Sequence, residues 1–249
     1  MRGIILAGGF GTRLLPLTHC INKHLLPIGR KTMIEYPIST LKNAGIERVC
    51  VVLGGNNAGD FVEYLGRGED FQVDVYYRYQ GDAKGIAHAI YLCEDFIGND
   101  DKFAVILGDN IFEHDFRKDI FDFAVDRKHG CYIFIVQSDT PRQFGVVEID
   151  DNGNIIGIEE KPVYPKSNLV VTGLYLYNKT FFDKFKKCNI SARGEYEISD
   201  INRMYLNEHT LKPINIEGFW SDAGNFETMH LCNKFAWERQ LIPLNRRGL

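Results

Sequence analysis

The sequence predicts an α/β fold with a doubly wound, mostly parallel central sheet and an inserted β-rich portion, and two observations support it. The runs 49–53 and 103–107 are continuously apolar rather than alternating, which is typical of parallel strands covered on both faces. Strand-like and amphipathic segments also alternate through the first half of the chain, as they do in βαβ units. A sheet of this kind binds its ligands at the carboxyl ends of the strands.

The individual elements follow from the spacing of apolar residues. In the first half, the predicted strands are residues 3–6, 48–53, 73–79 and 103–107, and the predicted helices are 33–44, 60–65, 83–96 and 116–128. From residue 131 the pattern favours β structure, with strands at 131–136, 145–149, 155–159 and 169–177. The segment Asp-Asp-Asn-Gly-Asn at 150–154 indicates a hairpin turn. Helices return at 180–187, 197–207 and 225–240.

The composition of the 249 residues is that of an ordinary globular protein, with 45% hydrophobic and 25% charged residues. Because 29 basic residues face 33 acidic ones, the net charge is −4, and no overall basic field favours nucleic acid. No apolar run approaches the length of a membrane span, and the N-terminus shows no secretion signal. We therefore expect a cytoplasmic protein with neither a nucleic acid nor a membrane as partner.

The cysteines are widely scattered and contain no C-x-x-C pair. This spacing favours reduced thiols over a disulfide framework or a zinc site. Cys50 and Cys131 lie in apolar, strand-like runs, so we expect both thiols to be buried.

A glycine-rich turn follows the first predicted strand and suggests a phosphate site. Glycines allow backbone N–H groups to approach an anion closely, and Arg13 and Lys23 add positive charge behind Gly8, Gly9 and Gly11. The sequence lacks the Lys-Ser/Thr of a P-loop, the G-x-G-x-x-G order of a dinucleotide site and the companion motifs of a kinase. The structural alternative is an ordinary glycine turn with a surface arginine.

Two aspartates are candidate ligands of a metal ion. Asp109 comes just after the apolar strand 103–107, and Asp222 lies in the segment Trp-Ser-Asp-Ala-Gly. Mg²⁺ needs one or two carboxylates together with phosphate oxygens and waters. Either aspartate could instead cap a following helix, and the residues by themselves leave both interpretations open.

The remaining candidates are polar residues at strand ends. Gln80 ends the strand 73–79 and offers the donor and acceptor that match the edge of a pyrimidine. Lys161 is preceded by Glu160 and followed by Pro162, which stiffens the chain. An isolated lysine or glutamine at such a place is more often simply solvated.

These motifs together resemble the sugar-phosphate nucleotidyltransferases over nearly the whole chain. The segments that carry the resemblance are Gly-Ile-Ile-Leu-Ala-Gly-Gly-Phe-Gly-Thr-Arg-Leu at 3–14, Asn-Lys-His-Leu-Leu-Pro at 22–27, Leu-Gly-Asp-Asn at 107–110, Phe-Gly-Val-Val-Glu at 144–148, Glu-Glu-Lys-Pro at 159–162, Val-Thr-Gly-Leu-Tyr at 171–175, 191–198 and 220–224. No single segment is specific, but their order is. The resemblance implies a Rossmann-like, nucleotide-binding fold and Mg²⁺-dependent transfer of a nucleotidyl group to a sugar-1-phosphate, with dTTP and glucose-1-phosphate favoured.

The resemblance also implies roles for individual residues. The nucleotide would contact Leu6, Gly8, Gly9, Gly11, Thr12, Arg13, Gln80 and Gly85. The sugar phosphate would contact Asn110, Gly145, Glu160, Lys161 and Thr172, and the magnesium ion would be held by Asp109 and Asp222. The catalytic residues would be Arg13, Lys23, Asp109 and Lys161. A single domain, 1–249, would comprise a nucleotide-binding part at about 1–130, a sugar-binding part at about 131–224 and a C-terminal helix at 225–249.

The chain departs from the family pattern at several positions. His24 stands where many members have glutamine, Phe144 where tyrosine is common, and Ala223 where threonine is common. Only a short stretch follows Asp222, so we do not expect the end-product regulatory site that longer members build from further helices.

Alternatives remain within and outside this reaction. UTP, CTP or another sugar-1-phosphate could be used, since Gln80 would meet the same edge on uracil and thymine. A non-catalytic sensor of sugar nucleotides is the alternative from another class. By family analogy we expect a homo-oligomer, either a dimer or a tetramer.

Overall fold

A mixed sheet of nine strands forms the centre of the computed structural model, which describes residues 1–55, 58–151 and 154–241. Two further sheets are pairs, β2 with β3 and β7 with β13. The strands of the described residues are β1 (Arg2–Ala7), β2 (Pro27–Ile28), β3 (Lys31–Thr32), β4 (Arg48–Leu53), β5 (Asp74–Tyr79), β6 (Lys102–Leu107), β7 (Asn110–Phe112), β8 (Cys131–Gln137), β9 (Gly145–Ile149), β10 (Ile155–Glu160), β11 (Leu169–Asn178), β12 (Leu211–Asn215) and β13 (Trp220–Asp222). The α-helices are α1 (Glu35–Asn43), α2 (Ala58–Leu65), α3 (Ile86–Tyr91), α4 (Glu94–Ile97), α5 (Arg117–Val125), α6 (Thr180–Phe185), α7 (Ile198–Asn207) and α8 (Phe226–Glu238).

The parallel part of this sheet comes from the first half of the chain. β1 lies between β4 and β6 and is parallel to both, and β5 is parallel to β4. β11 then runs antiparallel to β6 and to β8, while β9 and β10 form an antiparallel hairpin beside β11. The predicted fold class is confirmed: a parallel core carries a mostly antiparallel extension built from the second half, in which only β12 pairs in parallel, with β8.

Apolar side chains cover both faces of the central strands, as their continuous apolar runs predict. One face of β1, β4 and β6 packs against α3, α6 and α7 through a cluster that includes Ile4, Val52 and Phe103. The opposite face packs against α1, α2 and α5 and includes Ile5 and Val51. The thiols of Cys50 and Cys131 are buried in the first cluster, as expected. No helix among the described residues has the length and apolarity needed to cross a bilayer.

Two details differ from the predicted elements. The single helix predicted at 83–96 is two short helices, α3 and α4, separated at Leu92 and Cys93, where the Cys93 side chain turns into the core beside Cys50. The short strands β2, β3, β7, β12 and β13 were not predicted, because each is defined by its pairing partner rather than by its own pattern. The predicted turn at 150–154 includes residues 152 and 153, which lie outside the described residues.

The sheet continues without a break across the expected internal boundary at residue 130. β6 precedes this boundary and β11 follows it, yet the two strands pair over five residue positions, from Lys102 with Asn178 to Ile106 with Leu174. Because the hydrogen-bonded sheet joins both parts, we propose that they form one domain.

Candidate active site

Loops at the carboxyl ends of the parallel strands enclose two adjoining cavities of about 240 and 190 Å³. We call the first the loop cavity; its lining includes Leu6, Gly8, Gly9, Lys23, His24, Gln80, Gly85, Ile86, Leu107, Asp109 and Glu195. We call the second the deep cavity; its lining includes Arg13, Ile86, Leu107, Asp109, Asn110, Phe144, Gly145, Glu160, Lys161, Thr172, Ser199, Asn202, Trp220 and Asp222. Asp109 lines both cavities, together with Ile86 and Leu107.

The wall of the loop cavity is built by close approach of backbone to side chain. The Nε2 atom of Gln80 donates a hydrogen bond to the carbonyl oxygen of Gly8 at 3.0 Å. A Cβ atom on Gly8 would lie only 2.3 Å from that Nε2 atom, so no larger residue fits at this position without moving Gln80. Gly85, whose φ is +94°, begins α3 on the other side of the cavity. The structure therefore brings Leu6, Gly8, Gly9, Gln80 and Gly85 together.

The outer part of the glycine turn points elsewhere. Thr12 is exposed, and Gly11 is half-buried against the stem of Lys23. The guanidinium group of Arg13 lies beside Gly224, where a Cβ atom would be 2.7 Å from its Nη2 atom, and it borders the deep cavity. The predicted contact of Arg13 with a triphosphate stays a prediction.

A salt bridge joins the two cavities at their common wall. The Nζ atom of Lys23 lies 2.5 Å from Oδ2 of Asp109, and each side chain is only 12% exposed. The other carboxylate oxygen, Oδ1, accepts a hydrogen bond of 3.0 Å from Nδ2 of Asn110. Burial opposes ionisation of Asp109, but the charge of Lys23 and these hydrogen bonds outweigh it and hold the pKa of Asp109 below its usual range. Asp109 is therefore a carboxylate at neutral pH.

His24 is buried beside this pair and is neutral. Burial, assisted by the charge of Lys23, lowers the pKa of His24 to about 3. Oδ1 of Asn22 accepts a hydrogen bond from the backbone N–H of His24 and lies 2.8 Å from its Nδ1 atom. Since an amide oxygen can only accept, Nδ1 carries the proton and Nε2 is left as an acceptor.

The second predicted metal ligand reaches the site through the pairing of two short strands. β13 runs antiparallel to β7, so that Asp222 pairs with Asn110, and the backbone N–H of Ala223 donates to the carbonyl oxygen of Asp109 at 2.8 Å. Oδ1 of Asp222 accepts hydrogen bonds from the backbone N–H of Gly224 and from the hydroxyl of Thr228.

The structure also decides the helix-cap alternative for each aspartate. Asp109 is followed by β7 and caps no helix. The residue that caps α8 is Asn225, in a capping box with Thr228, and Asp222 bonds to the same threonine. The cap interpretation is therefore wrong for Asp109, and Asp222 only supports a cap made by another residue.

The donor set fits magnesium better than a tightly held structural metal. Asp109 and Asp222 line one cavity, and no group of three or more His, Cys, Asp or Glu side chains suited to a metal occurs in the described part of the chain. Two carboxylates would leave most positions of an octahedral ion to phosphate oxygens and waters, which is the arrangement Mg²⁺ prefers. These residues could hold such an ion together with a bound phosphate.

The five residues predicted to bind a sugar phosphate all line the deep cavity. Oδ1 of Asn110 accepts hydrogen bonds from the backbone N–H of Gly173 at 3.0 Å and from Nε1 of Trp220 at 2.8 Å. Glu160, which pairs with Gly145 across β9 and β10, accepts a hydrogen bond from the hydroxyl of Ser199. The cavity therefore presents groups whose positions are already fixed by the protein.

Lys161 stands at a sharp turn at the end of β10. Its φ is +44°, a left-handed conformation that is unusual for a lysine, and its backbone N–H donates to the carbonyl oxygen of Phe144 at 3.0 Å. Its ammonium group is 3.8 Å from Oε1 of Glu160, as is the guanidinium of Arg193. Phe144 packs its ring against Trp220, with 5.2 Å between the centroids.

Sequence reasoning missed several groups of the deep cavity. Ser199 and Asn202 lie three residues apart on one face of α7, a spacing that could have indicated a polar wall. Oδ1 of Asn202 accepts a hydrogen bond from the hydroxyl of Tyr177 at 2.6 Å. Its Nδ2 atom and the hydroxyl of Thr172 are buried and have no hydrogen-bond partner among the described residues. Such groups are costly unless a ligand or water satisfies them.

A larger cavity, of about 1000 Å³, lies at the opposite end of the sheet, where β6 begins. Lys102 lines it, but the ammonium group of this lysine donates to the carbonyl oxygens of Phe123 and Asp126 at the end of α5. The hydroxyl of Tyr205 likewise bonds to Asn178. None of the residues predicted from the sequence to form a site lines this cavity.

Comparison with known proteins shows the family to which the chain belongs. A family model described as nucleotidyl transferase matches residues 2–239. A glucose-1-phosphate thymidylyltransferase of Neisseria meningitidis is 44% identical over 97% of this chain and 84% of its own length, and one of Mycolicibacterium smegmatis is 42% identical over 100% and 85%.

Solved structures give the same result at the level of the fold. A crystal structure of a Bacillus anthracis chain described as a glucose-1-phosphate thymidylyltransferase, in complex with sucrose, has a TM-score of 0.91 and 44% identity over 99% of this chain and 98% of its own. A UDP-glucose pyrophosphorylase complexed with UDP-glucose has a TM-score of 0.82 and 25% identity over 96% and 98%. The chain belongs to the nucleotidyl transferase family.

Proposed function

We propose that this protein transfers a thymidylyl group from dTTP to glucose-1-phosphate, forming dTDP-glucose and releasing pyrophosphate. The observation that carries the proposal is the meeting of two cavities at Asp109, one lined by the glycine turn and Lys23 and the other by Glu160 and Lys161. Relatives described as glucose-1-phosphate thymidylyltransferases match nearly the whole chain at 42–44% identity, which supports the same reaction here.

The reaction requires that the protein position the two substrates, and it requires no covalent intermediate with the protein. A phosphate oxygen of glucose-1-phosphate attacks the α-phosphorus of dTTP in line, and the bond from that phosphorus to the bridging oxygen breaks as pyrophosphate leaves. Charge must be neutralised on both sides of the reacting phosphorus. In our proposal Lys23 and Arg13 do so for the triphosphate and Lys161 for the sugar phosphate.

The remaining groups hold the two substrates in place. The glycine turn with Leu6 and Gly85 would receive the nucleotide, and the carboxamide of Gln80 would meet the base. Asn110, Gly145, Glu160 and Thr172 would receive the sugar, whose hydroxyls can both donate and accept. Asp109 and Asp222 would hold Mg²⁺, which when bound supplies positive charge to the phosphate oxygens.

A panel of substrates tests the proposal. Pyrophosphate release is measured with dTTP, UTP, CTP, ATP and GTP, each with glucose-1-phosphate, galactose-1-phosphate and mannose-1-phosphate in the presence of Mg²⁺. We expect the highest kcat/KM with dTTP and glucose-1-phosphate, and dTDP-glucose as the product. Absence of pyrophosphate release with every pair would refute the proposal.

A second candidate is the same transfer from UTP. The similarity to a UDP-glucose pyrophosphorylase favours it, and Gln80 would meet the same hydrogen-bonding edge on uracil and on thymine. The two bases differ by one methyl group, which an apolar contact discriminates by only about 10–200-fold. The panel decides between them, because a kcat/KM higher with UTP than with dTTP would replace the first candidate by the second.

We further propose a homo-oligomer in the cytoplasm. On α5, the side chains of Phe121 and Val125 are 66% and 61% exposed, and both are large apolar groups. Light scattering of the purified protein would give the oligomeric state, and a monomer at all accessible concentrations would contradict this proposal.

A further inference from the structure

The salt bridge between Lys23 and Asp109 has a consequence for the order in which ligands bind. We propose that Lys23 keeps divalent cations off Asp109 until a nucleoside triphosphate draws its ammonium group away, so that metal and nucleotide bind as a coupled pair. This inference rests on the proposed function, because it assigns the carboxylate to a metal and the loop cavity to a nucleotide.

Both oxygens of Asp109 are engaged within the protein. Oδ2 lies 2.5 Å from the ammonium of Lys23, and Oδ1 accepts from the amide of Asn110 at 3.0 Å. The carboxylate is 12% exposed, so water competes little for these oxygens. A cation that approached Asp109 would have to displace the ammonium group and would meet its positive charge at close range.

Asp222 does not compensate for this blocked ligand. Its Oδ1 atom accepts hydrogen bonds from Gly224 and Thr228, so Asp222 offers a cation chiefly its other oxygen, Oδ2. Mg²⁺ loses its bound waters only at a large cost in free energy, and binding to a single carboxylate offsets little of that cost. Without Asp109 the site is therefore weak, and the resting protein holds the metal poorly.

A triphosphate in the loop cavity offers Lys23 another partner. The ammonium group lines that cavity and lies near Gly9, where a Cβ atom would be 3.7 Å from Nζ. The lysine stem is flexible, and its charge can move to phosphate oxygens of higher total charge. Once Lys23 moves, Asp109 is free for the metal, and by linkage the bound metal strengthens nucleotide binding by the same factor.

Binding of Mn²⁺, followed by the electron paramagnetic resonance signal of the free ion, tests this coupling without turnover. In the wild-type protein we expect weak binding of Mn²⁺ alone. Binding should be at least about ten-fold tighter with a dTTP analogue in which a methylene group joins the α- and β-phosphorus atoms, after subtraction of the binding by the analogue itself. Lys23→Met should bind Mn²⁺ alone about ten-fold more tightly than the wild type.

Lys161→Asn is the matched control. It removes one positive charge from the same cleft, and asparagine tolerates the left-handed backbone at this position. Because Lys161 is paired with Glu160 rather than Asp109, this variant should bind Mn²⁺ alone as weakly as the wild type. Lys23→Gln serves if Lys23→Met does not fold, because its amide can still donate to Asp109 but carries no charge. Tighter Mn²⁺ binding is again expected.

Two results would overturn the inference: equal Mn²⁺ affinity of wild type and the Lys23 variants, or equal gains in the Lys23 and Lys161 variants. The first would show that Lys23 does not exclude the cation, and the second that only net charge matters. Failure of the proposed function appears elsewhere, as absent pyrophosphate release in the substrate panel, and leaves the Mn²⁺ titration fully interpretable.

Discussion

The loop cavity and the deep cavity satisfy their polar groups in different ways. In the loop cavity the polar groups bind each other: Lys23 binds Asp109, and Gln80 binds the carbonyl oxygen of Gly8. In the deep cavity, the hydroxyl of Thr172 and Nδ2 of Asn202 are buried without a hydrogen-bond partner among the described residues. A ligand in the loop cavity must break internal contacts, whereas a ligand in the deep cavity can form hydrogen bonds to two unpaired groups that lie beside internally bonded ones such as Asn110.

Because of this difference, the two cavities would favour ligands of different charge and hydrogen-bonding capacity. Breaking the contact between Lys23 and Asp109 requires a highly charged ligand, and a triphosphate supplies that charge. The second substrate, glucose-1-phosphate, carries its charge on the phosphate, and the hydroxyls of its hexose can satisfy the unpaired groups of Thr172 and Asn202. These properties support the proposed placement of the nucleotide in the loop cavity and of the sugar in the deep cavity.

The largest effect is expected from the residue that both cavities share. Asp109→Asn removes the charge that would hold the metal, and we expect kcat/KM to fall by about 10²–10³-fold. Steady-state measurement of pyrophosphate release gives the change, and circular dichroism verifies the fold.

Asp95→Asn is its control, because Asp95 is a surface carboxylate paired with Arg78 outside both cavities. It should keep nearly full activity. Near-normal turnover of Asp109→Asn would show that the wall between the cavities is not a metal site. The two cavities would then share no reaction centre at Asp109.

A smaller effect is expected from substitution of Thr172, whose unpaired hydroxyl lies in the deep cavity. Thr172→Val keeps the shape of the side chain but removes the buried, unpaired hydroxyl. Removal of an unsatisfied polar group should raise the free energy of unfolding by about 1 kcal/mol. It should also raise the KM for glucose-1-phosphate about ten-fold, because a hydrogen bond to the sugar is lost.

Thr172→Ser separates these two effects. It retains the hydroxyl and should keep the wild-type KM. Chemical denaturation and steady-state kinetics are measured on both variants. If Thr172→Val lost stability and kept its KM, the hydroxyl would have a structural role and would not form a hydrogen bond to the substrate.

The two cavities also differed in how well the sequence predicted them. The glycine turn, Gln80 and Asp109 each follow the end of a parallel strand, and apolar patterns made those strands visible, whereas Lys23 lies further along the chain, after β1 and two helical turns. The clustering of the first three follows from one rule, since such strand ends meet at one edge of a sheet. The positions of Gly8, Gly9, Gln80 and Asp109 were therefore predictable, although Gly11, Thr12 and Arg13, predicted for the same ligand, do not line the loop cavity.

The deep cavity depends on contacts that no local pattern shows. Asp222 arrives through the pairing of β13 with β7, two three-residue strands that are defined only by each other. Asn202 is an ordinary polar residue on an amphipathic helix until its Oδ1 is fixed by Tyr177. Tertiary packing decides such features, and local propensity does not.

The smallest effect is expected from His24, which lines the loop cavity and is buried in its neutral form. Its pKa is about 3 in the folded protein and about 6.5 in an unfolded chain. The unfolded state therefore binds more protons below pH 6.5, and the folded protein loses stability as the pH falls from 6.5 toward 3. Between pH 6.5 and 5.0 the loss from this residue approaches about 1–2 kcal/mol.

His24→Gln removes that contribution and should flatten the pH dependence. Urea unfolding at pH 6.5 and 5.0 gives the two free energies for each protein. The lowered pKa of His88 affects both proteins equally, and Asp109, whose pKa is also depressed, affects stability only at more acidic pH. Equal losses in wild type and variant would mean that His24 accepts a proton without cost. The polar groups of the loop cavity would then be hydrated by water rather than paired with one another, and the contrast with the deep cavity would not hold.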